Sequence, residues 1–237
     1  MKALILGGTS GLGRALAAEF IKAGWETSVT GLRDAALKDF SLAFPSARVS
    51  KLDLSAPGAR AAVEALLDGA ETVAVCAGLY LDNPENDWAA EERVIALNAA
   101  GCAAALNAAY AHFRRRGCGR LACISSIGAI RGNARCPAYN ATKAFLFNYL
   151  EGLRQNAALA GADISVTNII PAYMGDGGGE KMYAAIMKRR RNVYIPGYWR
   201  LLAAAYRNLP DLLHEKMARW HYTLLKPFMR KAPGWKQ

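Results

Sequence analysis

The chain has 237 residues, of which 53% are hydrophobic and 21% are charged, so it has enough apolar side chains for a packed core and is not a disordered chain. No collagen-like or coiled-coil repeat runs through it, which excludes the fibrous classes. Thirty Lys and Arg against 19 Asp and Glu give a net charge of +11, which favours an anionic partner such as nucleic acid, phosphate or an acidic membrane. Residues 171–237 hold 13 Lys and Arg against 4 Asp and Glu, so +9 of this charge lies near the C-terminus.

Short apolar runs alternate with helical patterns along most of the chain. Runs of apolar and β-branched residues predict strands at 3–6, 27–30, 49–54, 72–76, 120–125, 164–170 and 192–195. Apolar residues spaced by three to five predict helices at 12–23, 34–40, 57–67, 91–113 and 139–158. Because strands alternate with helices, we predict an α/β fold, a Rossmann-like doubly wound parallel sheet with helices on both faces.

The last part of the chain differs in composition from the rest. We place one α/β domain at residues 1–196 and a basic amphipathic helical extension at residues 197–237. In the extension apolar side chains recur every three or four residues, at Leu213, Met217, Trp220, Leu224 and Phe228. Such a stripe could contact an anionic membrane through residues 198–230, or pack on the body or on a second subunit. Aromatic residues among cations also fit nucleic acid, but no nucleic-acid motif accompanies them.

A glycine-rich segment and a cationic cluster precede the extension. Four glycines fall within residues 175–179 and give hinge freedom to a loop, so closure over a substrate is expected there. Residues 188–191 read Lys-Arg-Arg-Arg, and a solvated helix end is one interpretation of this cluster. Substrate, membrane and a partner subunit are the other candidates for this basic region.

The turn after the first predicted strand is rich in glycine. Gly7, Gly11 and Gly13 form a G-x-x-x-G-x-G pattern between that strand and the first helix. Glycine lets the backbone approach a diphosphate, and the helix N-terminus offers free N–H groups and a positive dipole end. The pattern in this position predicts a dinucleotide site. The alternative is tight packing of strand against helix without a ligand.

The residue at the end of the second strand selects the cofactor of such a site. An acid there binds the ribose 2′-hydroxyl of NAD, whereas an arginine favours the 2′-phosphate of NADP. No acid ends this strand; Arg33 and Arg14 are the available cations, and Asp34 fits a helix N-cap. We therefore expect NADP(H) rather than NAD(H). The alternative is that Arg33 is a solvated loop residue.

Three residues in the second half of the chain suggest proton transfer. Tyr139 and Lys143 lie four apart in a predicted helix and share a face, and Ser126 follows a predicted strand end. A phenol is a poor acid near neutral pH, since its reference pKa is about 10, but a nearby ammonium favours the phenolate. Tyr139 could then exchange a proton with a substrate oxygen that Ser126 holds.

Over residues 1–196 these features resemble the short-chain dehydrogenase/reductase family. Its glycine turn and its catalytic serine, tyrosine and lysine are matched here, and its other motifs match Asp53-Leu54, Ala77-Gly78, Asn98 and Pro171. We assign cofactor binding to Gly7, Thr9, Ser10, Gly11, Leu12, Gly13, Arg33, Asp53, Leu54, Ala77, Gly78, Tyr139, Lys143 and Pro171. We assign catalysis to Asn98, Ser126, Tyr139 and Lys143.

The resemblance implies hydride transfer between a nicotinamide and a carbonyl or alcohol carbon. Tyr139 would act as the general acid and base, and Ser126 would orient the carbonyl. Lys143 would bind the nicotinamide ribose and favour the Tyr139 phenolate. Asn98 would hold a water that relays protons to Lys143. The implied protein is an NADP(H)-dependent oxidoreductase.

The chain also departs from the family pattern. Cys76 stands where the family has a structural asparagine and fits a small buried residue. Ala172 stands where the family often has glycine, and Asp176 where a threonine usually contacts the carboxamide, leaving the Met174 backbone as a second contact. These departures motivate an alternative function, a non-catalytic NADP(H)-binding regulator or scaffold of the same fold.

Cysteine usage and hydropathy bear on location and partners. Five cysteines without a C-x-x-C pair fit a reducing compartment, and no signal peptide is visible, so we expect a cytoplasmic protein with peripheral membrane contact left open. The apolar run at 94–111 contains two asparagines and is too polar to span a membrane. The three histidines lack metal-ligand spacing, so no metal is expected. We expect a small-molecule or lipid-linked carbonyl substrate, a homo-oligomer and no nucleic acid.

Overall fold

The sheet is built as the alternation of patterns predicts. The structure, a computed structural model, describes residues 1–172 and 177–229, and of residues 221–229 the backbone alone. The described strands are β1 Lys2–Leu6, β2 Glu26–Gly31, β3 Arg48–Lys51, β4 Thr72–Val75, β5 Cys118–Ile124, β6 Asp163–Pro171 and β7 Asn192–Ile195. They pair in parallel in the order β3-β2-β1-β4-β5-β6-β7. The predicted Rossmann-like α/β fold is confirmed.

Helices connect the strands and continue beyond the last one. They are α1 Gly11–Lys22, α2 Asp34–Ala43, α3 Ala59–Ala65, α4 Trp88–Ile95, α5 Cys102–Arg116, α6 Pro137–Leu159, α7 Gly179–Met187, α8 Trp199–Arg207 and α9 Asp211–Met229. A π-helical turn, Ala96–Gly101, joins α4 to α5, so the single helix predicted at 91–113 has an irregular centre. The described part of the extension, which ends at residue 229, is mainly helical, as predicted.

One strand boundary and one helix are among the differences from the sequence prediction. The predicted strand 49–54 ends at Lys51, because the Asp53 carboxylate accepts the Ser55 N–H at 2.8 Å and turns the chain out of the sheet. Helix α7 is not predicted by the sequence pattern. It is short and rests on α1, where a Cβ added at Gly179 would lie 2.4 Å from the Ala15 carbonyl oxygen.

Each face of the sheet has its own core. Leu4 and Leu6 of β1 face one core, which α3, α5 and α6 cover with fully buried side chains such as Phe113. Ala3 and Ile5 face the other, where α1, α2 and α7 contribute side chains such as Phe20. Alternate residues of a strand point to opposite faces, so a strand buried on both faces is continuously apolar. This explains the unbroken apolar run of β1.

The continuous helix Trp88–Arg116 is the one described segment long and apolar enough to cross a membrane. Half of its most apolar window is buried inside the protein, and Asn98 within it is fully buried. The helix therefore belongs to the core of the fold, which agrees with the expectation that the run at 94–111 does not span a membrane.

Arg131, in the segment that follows Ser126, connects the α/β domain to the extension. The Arg131 guanidinium donates to the Leu209 carbonyl at 2.9 Å and pairs with Asp211 at 2.7 Å. Of the predicted apolar stripe, Leu213, Met217 and Trp220 are exposed, so these three residues do not pack on the body. The side chains of Leu224 and Phe228 lie outside the described residues.

Candidate active site

A cleft of about 860 Å³ lies at the carboxyl ends of the paired strands β1 and β4. The connections after these neighbouring strands run to opposite faces of the sheet, and ligands of open α/β sheets bind at such a switch point. The cleft is lined by most of the sequence-predicted site residues: Gly7, Thr9, Ser10, Gly11, Leu12, Gly13, Arg33, Asp53, Leu54, Ala77, Gly78, Tyr139, Lys143 and Pro171. The fold thus brings together residues that lie at or beyond the carboxyl ends of six strands, β1 to β6.

The glycine turn is packed too closely for side chains. Gly7 has φ +78°, and a Cβ there would lie 2.6 Å from the Ala77 backbone. A Cβ on Gly13 would lie 2.2 Å from the Gly7 carbonyl oxygen. Ser10 occupies the N-cap of α1 but makes no side-chain capping bond, so the first N–H groups of α1 stay available at the cleft. The turn therefore combines tight packing with a free helix N-terminus.

The cleft is also lined by polar groups from the segments that follow β2 and β3. Arg33 is exposed and lines the cleft at the start of α2. Asp34 is the first residue of α2 and not its N-cap, which corrects the sequence prediction; it pairs with Lys51 at 2.8 Å. The Arg14 guanidinium stacks over the Phe40 ring at 5.4 Å. Arg33 is therefore the better placed of the two predicted cations.

Tyr139 and Lys143 meet on the face of α6 that lines the cleft. The Lys143 ammonium lies 5.7 Å from the centre of the Tyr139 ring and donates to the Ile124 carbonyl oxygen at 3.2 Å. Lys143 is 3% exposed, so its charge acts in a poorly solvated site. Tyr80 packs edge-on against Tyr139, with ring centres 5.1 Å apart. Sequence reasoning did not single out Tyr80.

Ser126 lies beside Tyr139 across one glycine. The Ser126 hydroxyl accepts the Gly128 N–H at 3.0 Å, in a turn that follows β5. A Cβ added at Gly128 would lie 3.3 Å from Ser126 Oγ and 3.5 Å from Tyr139 Cε1. Asn140 fastens this turn to α6 by donating to the Gly128 carbonyl oxygen at 2.7 Å. The serine and the tyrosine are thus brought together, although thirteen residues separate them.

Asn98 is buried behind the cleft, in the π-helical turn. Its side chain accepts the Leu79 N–H at 2.8 Å and donates to the Leu79 carbonyl oxygen at 2.8 Å. A Cβ added at Gly78 would lie 3.2 Å from Lys143 Nζ and 3.7 Å from Asn98 Oδ1. The asparagine therefore holds the segment after β4 against the lysine.

Glu91 is a supporting residue that sequence reasoning missed. Its carboxylate accepts the Ala138 N–H at 2.8 Å and the Asn83 side-chain amide at 2.8 Å. It thus satisfies the N-terminus of α6 one residue before Tyr139 and ties the 79–87 segment to it. No local signal could have found Glu91, because its partner lies 47 residues away in the sequence.

Three thiols, those of Cys76, Cys102 and Cys123, lie close enough to Lys143 to interact with its charge, and Cys76 lines the cleft. Burial raises the pKa of Cys76 to about 12 and that of Cys102 to about 11, and it raises the pKa of Cys123 well above the usual thiol value. These thiols are therefore protonated near neutral pH, and a thiolate mechanism has no support in this cleft. All five cysteines are free.

The wall after β6 is described only in part. Pro171 lines the cleft, and the Ala172 N–H donates to the Ile195 carbonyl oxygen at 2.9 Å. The Met174 and Asp176 contacts and the first two residues of the 175–179 segment, where loop closure is expected, lie outside the described residues.

Comparisons with known proteins agree with the fold. The family model for short chain dehydrogenase matches residues 1–182. An uncharacterized oxidoreductase of Myxococcus xanthus is 33% identical over 183 residues, which cover 73% of this chain and 71% of the relative. The structure of a short-chain dehydrogenase from Streptomyces avermitilis covers 97% of this chain and 98% of its own, with a TM-score of 0.75 and 24% identity. That of serine dehydrogenase from Escherichia coli covers 79% and 90%, with a TM-score of 0.68 and 26% identity.

Proposed function

Because the chain belongs to the short-chain dehydrogenase/reductase family and is an oxidoreductase acting on CH–OH groups with an NAD(P) cofactor, we propose that it is an NADP(H)-dependent carbonyl reductase or alcohol dehydrogenase with Tyr139 as its general acid and base. The observation that carries the proposal is that Tyr139 and Lys143 line the cleft together, with Ser126 beside Tyr139 across Gly128. A regulator without chemistry would not need a buried ammonium beside an accessible phenol.

Each of the residues around Tyr139 has a separate proposed role in the reaction at the substrate oxygen. Tyr139 gives a proton to that oxygen in reduction and takes it in oxidation. Lys143, held by its hydrogen bond to the Ile124 carbonyl oxygen, would bind the ribose of the cofactor beside Tyr139. Ser126 holds the substrate carbonyl by a hydrogen bond. Asn98 positions the backbone beside Lys143; a water relay through it stays a prediction.

NADP(H) fits the other residues that line the cleft. The glycine turn and the uncapped N-terminus of α1 suit a diphosphate, and Asp53 suits the adenine. Asp34 is neutralised by Lys51, while Arg33 remains at the rim for a 2′-phosphate. When bound, the cofactor supplies or accepts the hydride.

We expect steady oxidation of NADPH with at least one member of a carbonyl panel that includes lipid-linked keto sugars. NADH should serve less well, because it lacks the phosphate that Arg33 would bind. The measurement is the ratio of kcat/KM for NADPH to that for NADH. Cofactor binding without turnover on any carbonyl would favour the alternative, a regulator or scaffold.

The cofactor preference is tested by replacing Arg33, with Lys38, another exposed cation of the same region, as the matched control. Arg33→Ser should lower the NADPH-to-NADH ratio by about tenfold or more, since a charge-assisted hydrogen bond contributes about 1.5–3 kcal/mol. Lys38→Ser removes an exposed cation of α2 that does not line the cleft and should leave the ratio unchanged. Equal ratios in both variants would contradict the role of Arg33.

We further propose a cytoplasmic protein whose extension contacts a membrane, with residues 1–196 as the catalytic domain and residues 197–237 as the extension. Five free thiols support a reducing compartment. Exposed apolar side chains support the contact: Leu201 is 75%, Leu212 is 76% and Trp220 is 68% exposed. The substrate would then be a small or lipid-linked carbonyl compound. The homo-oligomer stays a prediction.

Removing apolar side chains from α8 should weaken vesicle binding. We expect Leu201→Gln with Leu202→Gln to lower partition onto anionic vesicles about tenfold or more, because burying a leucine contributes about 1.5–3 kcal/mol. Leu159→Gln, at the exposed end of α6, is the matched control. Co-sedimentation measures both, and equal pelleting of all forms would contradict the contact. Light scattering of the same samples tests whether a second subunit covers this face instead.

A further inference from the structure

A second groove, of about 1190 Å³, lies along β7, the edge strand of the sheet. It is bounded by α6, by residues 188–194 and by α8, and it shares no lining residue with the catalytic cleft. We name it the cationic groove, because six of its lining residues are cations: Lys188, Arg189, Arg190, Arg191, Arg200 and Arg207. Glu151 is the one carboxylate in its described lining.

Two arginines hold the backbone of the groove in place. Arg189 has φ +52°, a left-handed conformation that side chains disfavour, and its guanidinium binds the Asp163 carboxylate with both ends. Arg154 donates to the carbonyl oxygens of Val166 and Arg191, at 3.3 and 3.4 Å. The four consecutive cations thus begin at the C-terminus of α7, where Lys188 is the C-cap, and the two arginines hold this exposed segment in a defined backbone.

Most of these charges lack a protein counterion. Within the described part of the chain, Arg189 is the only one of the six cations with a carboxylate within ion-pair distance. The others are exposed, so water screens their repulsion, but that repulsion still opposes bringing them together. A multivalent anion in the groove would remove this repulsion.

Helix α8 is oriented unlike an ordinary amphipathic surface helix, because its arginine-bearing face lines the groove and its apolar face is exposed. Arg200, Ala203, Ala204 and Arg207, spaced as one helical face, line the groove. Leu201 and its apolar neighbours lie on the opposite, exposed face. A surface helix usually buries its leucines and exposes its arginines. Here the fold instead adds two arginines to a cluster that is already cationic.

We propose that the cationic groove binds phosphate groups, carried either by a soluble phosphorylated molecule or by a phospholipid headgroup. Arginine suits this ligand, since its planar guanidinium donates two parallel hydrogen bonds to phosphate oxygens. Several arginines around small alanines leave room for a multiply charged group, such as a diphosphate. The proposal does not depend on the catalytic role of Tyr139.

The test removes three groove cations and compares a variant of equal charge. Arg190→Gln, Arg191→Gln and Arg200→Gln form the groove variant; Lys38→Gln, Arg114→Gln and Arg115→Gln, all exposed and outside both clefts, form the control. Pyrophosphate is titrated calorimetrically into each full-length protein at constant ionic strength, with saturating NADPH so that the glycine turn does not compete. Thermal unfolding and NADPH affinity verify that both variants are folded.

We expect pyrophosphate to bind the wild type and the control equally, and the groove variant at least tenfold more weakly. The second arm uses vesicles of phosphatidic acid in phosphatidylcholine. Loss of pyrophosphate binding in the groove variant supports a soluble ligand, and loss of vesicle binding alone supports a headgroup. The proposal is overturned if the groove variant matches the control with both probes, if no form binds either, or if only duplex DNA or RNA binds.

Discussion

Replacing Tyr139 with phenylalanine should lower kcat by about 10²- to 10⁴-fold, the usual contribution of a general acid or base. The change removes one oxygen and leaves the ring that packs against Tyr80, so the site keeps its shape. The affinity for NADPH should change little, since Lys143 and the glycine turn remain. Single-turnover NADPH oxidation measures the first effect, and fluorescence titration of NADPH measures the second.

The matched control is Tyr149→Phe, ten residues further along α6. Tyr149 stacks on Phe145 and does not line the cleft. Its turnover should stay within about twofold of the wild type, because no cleft group changes. Undiminished turnover of the Tyr139 variant would remove the assigned role, and a parallel loss in both variants would indicate damage to α6.

Replacing Gly13 with alanine should weaken NADPH binding by about tenfold or more. The added Cβ would lie 2.2 Å from the Gly7 carbonyl oxygen and 3.0 Å from the Cys76 Cβ, so the first turn of α1 must move away from β1. Overpacking of this kind costs about 1–3 kcal/mol, and it displaces the N–H groups that would meet the diphosphate. Calorimetric titration of NADPH gives the affinity, and thermal unfolding gives the loss of stability.

Gly152→Ala applies the same chemical change where there is room. A Cβ at Gly152, within α6, meets nothing within 4 Å. Alanine in a helix interior is more stable than glycine by about 0.5–1 kcal/mol, so this control should raise the unfolding midpoint and leave NADPH affinity unchanged. If Gly13→Ala behaved like Gly152→Ala, close packing at the glycine turn would not matter for the cofactor.

The sequence by itself determined the order of the seven strands and of the helices other than α7, because the relevant signals are local. The apolar run of β1 is continuous since both of its faces are buried, and β7 has the predicted bounds 192–195. The glycine spacing and the four-residue separation of Tyr139 and Lys143 are likewise local. The structure places nearly all the predicted residues in one cleft, although their catalytic and binding roles await the experiments above.

Only the tertiary structure decided which side chains meet across long distances in the chain. Glu91 supports the N-terminus of α6, and Arg131 fastens the extension through Asp211, eighty residues away. The sequence showed that the extension is amphipathic, but not that Arg200 of α8 lines the cationic groove while Leu201 and Leu202 lie on the outer face of the helix. Periodicity gives the two faces of a helix, whereas the face that is buried depends on the free energy of packing against the rest of the molecule.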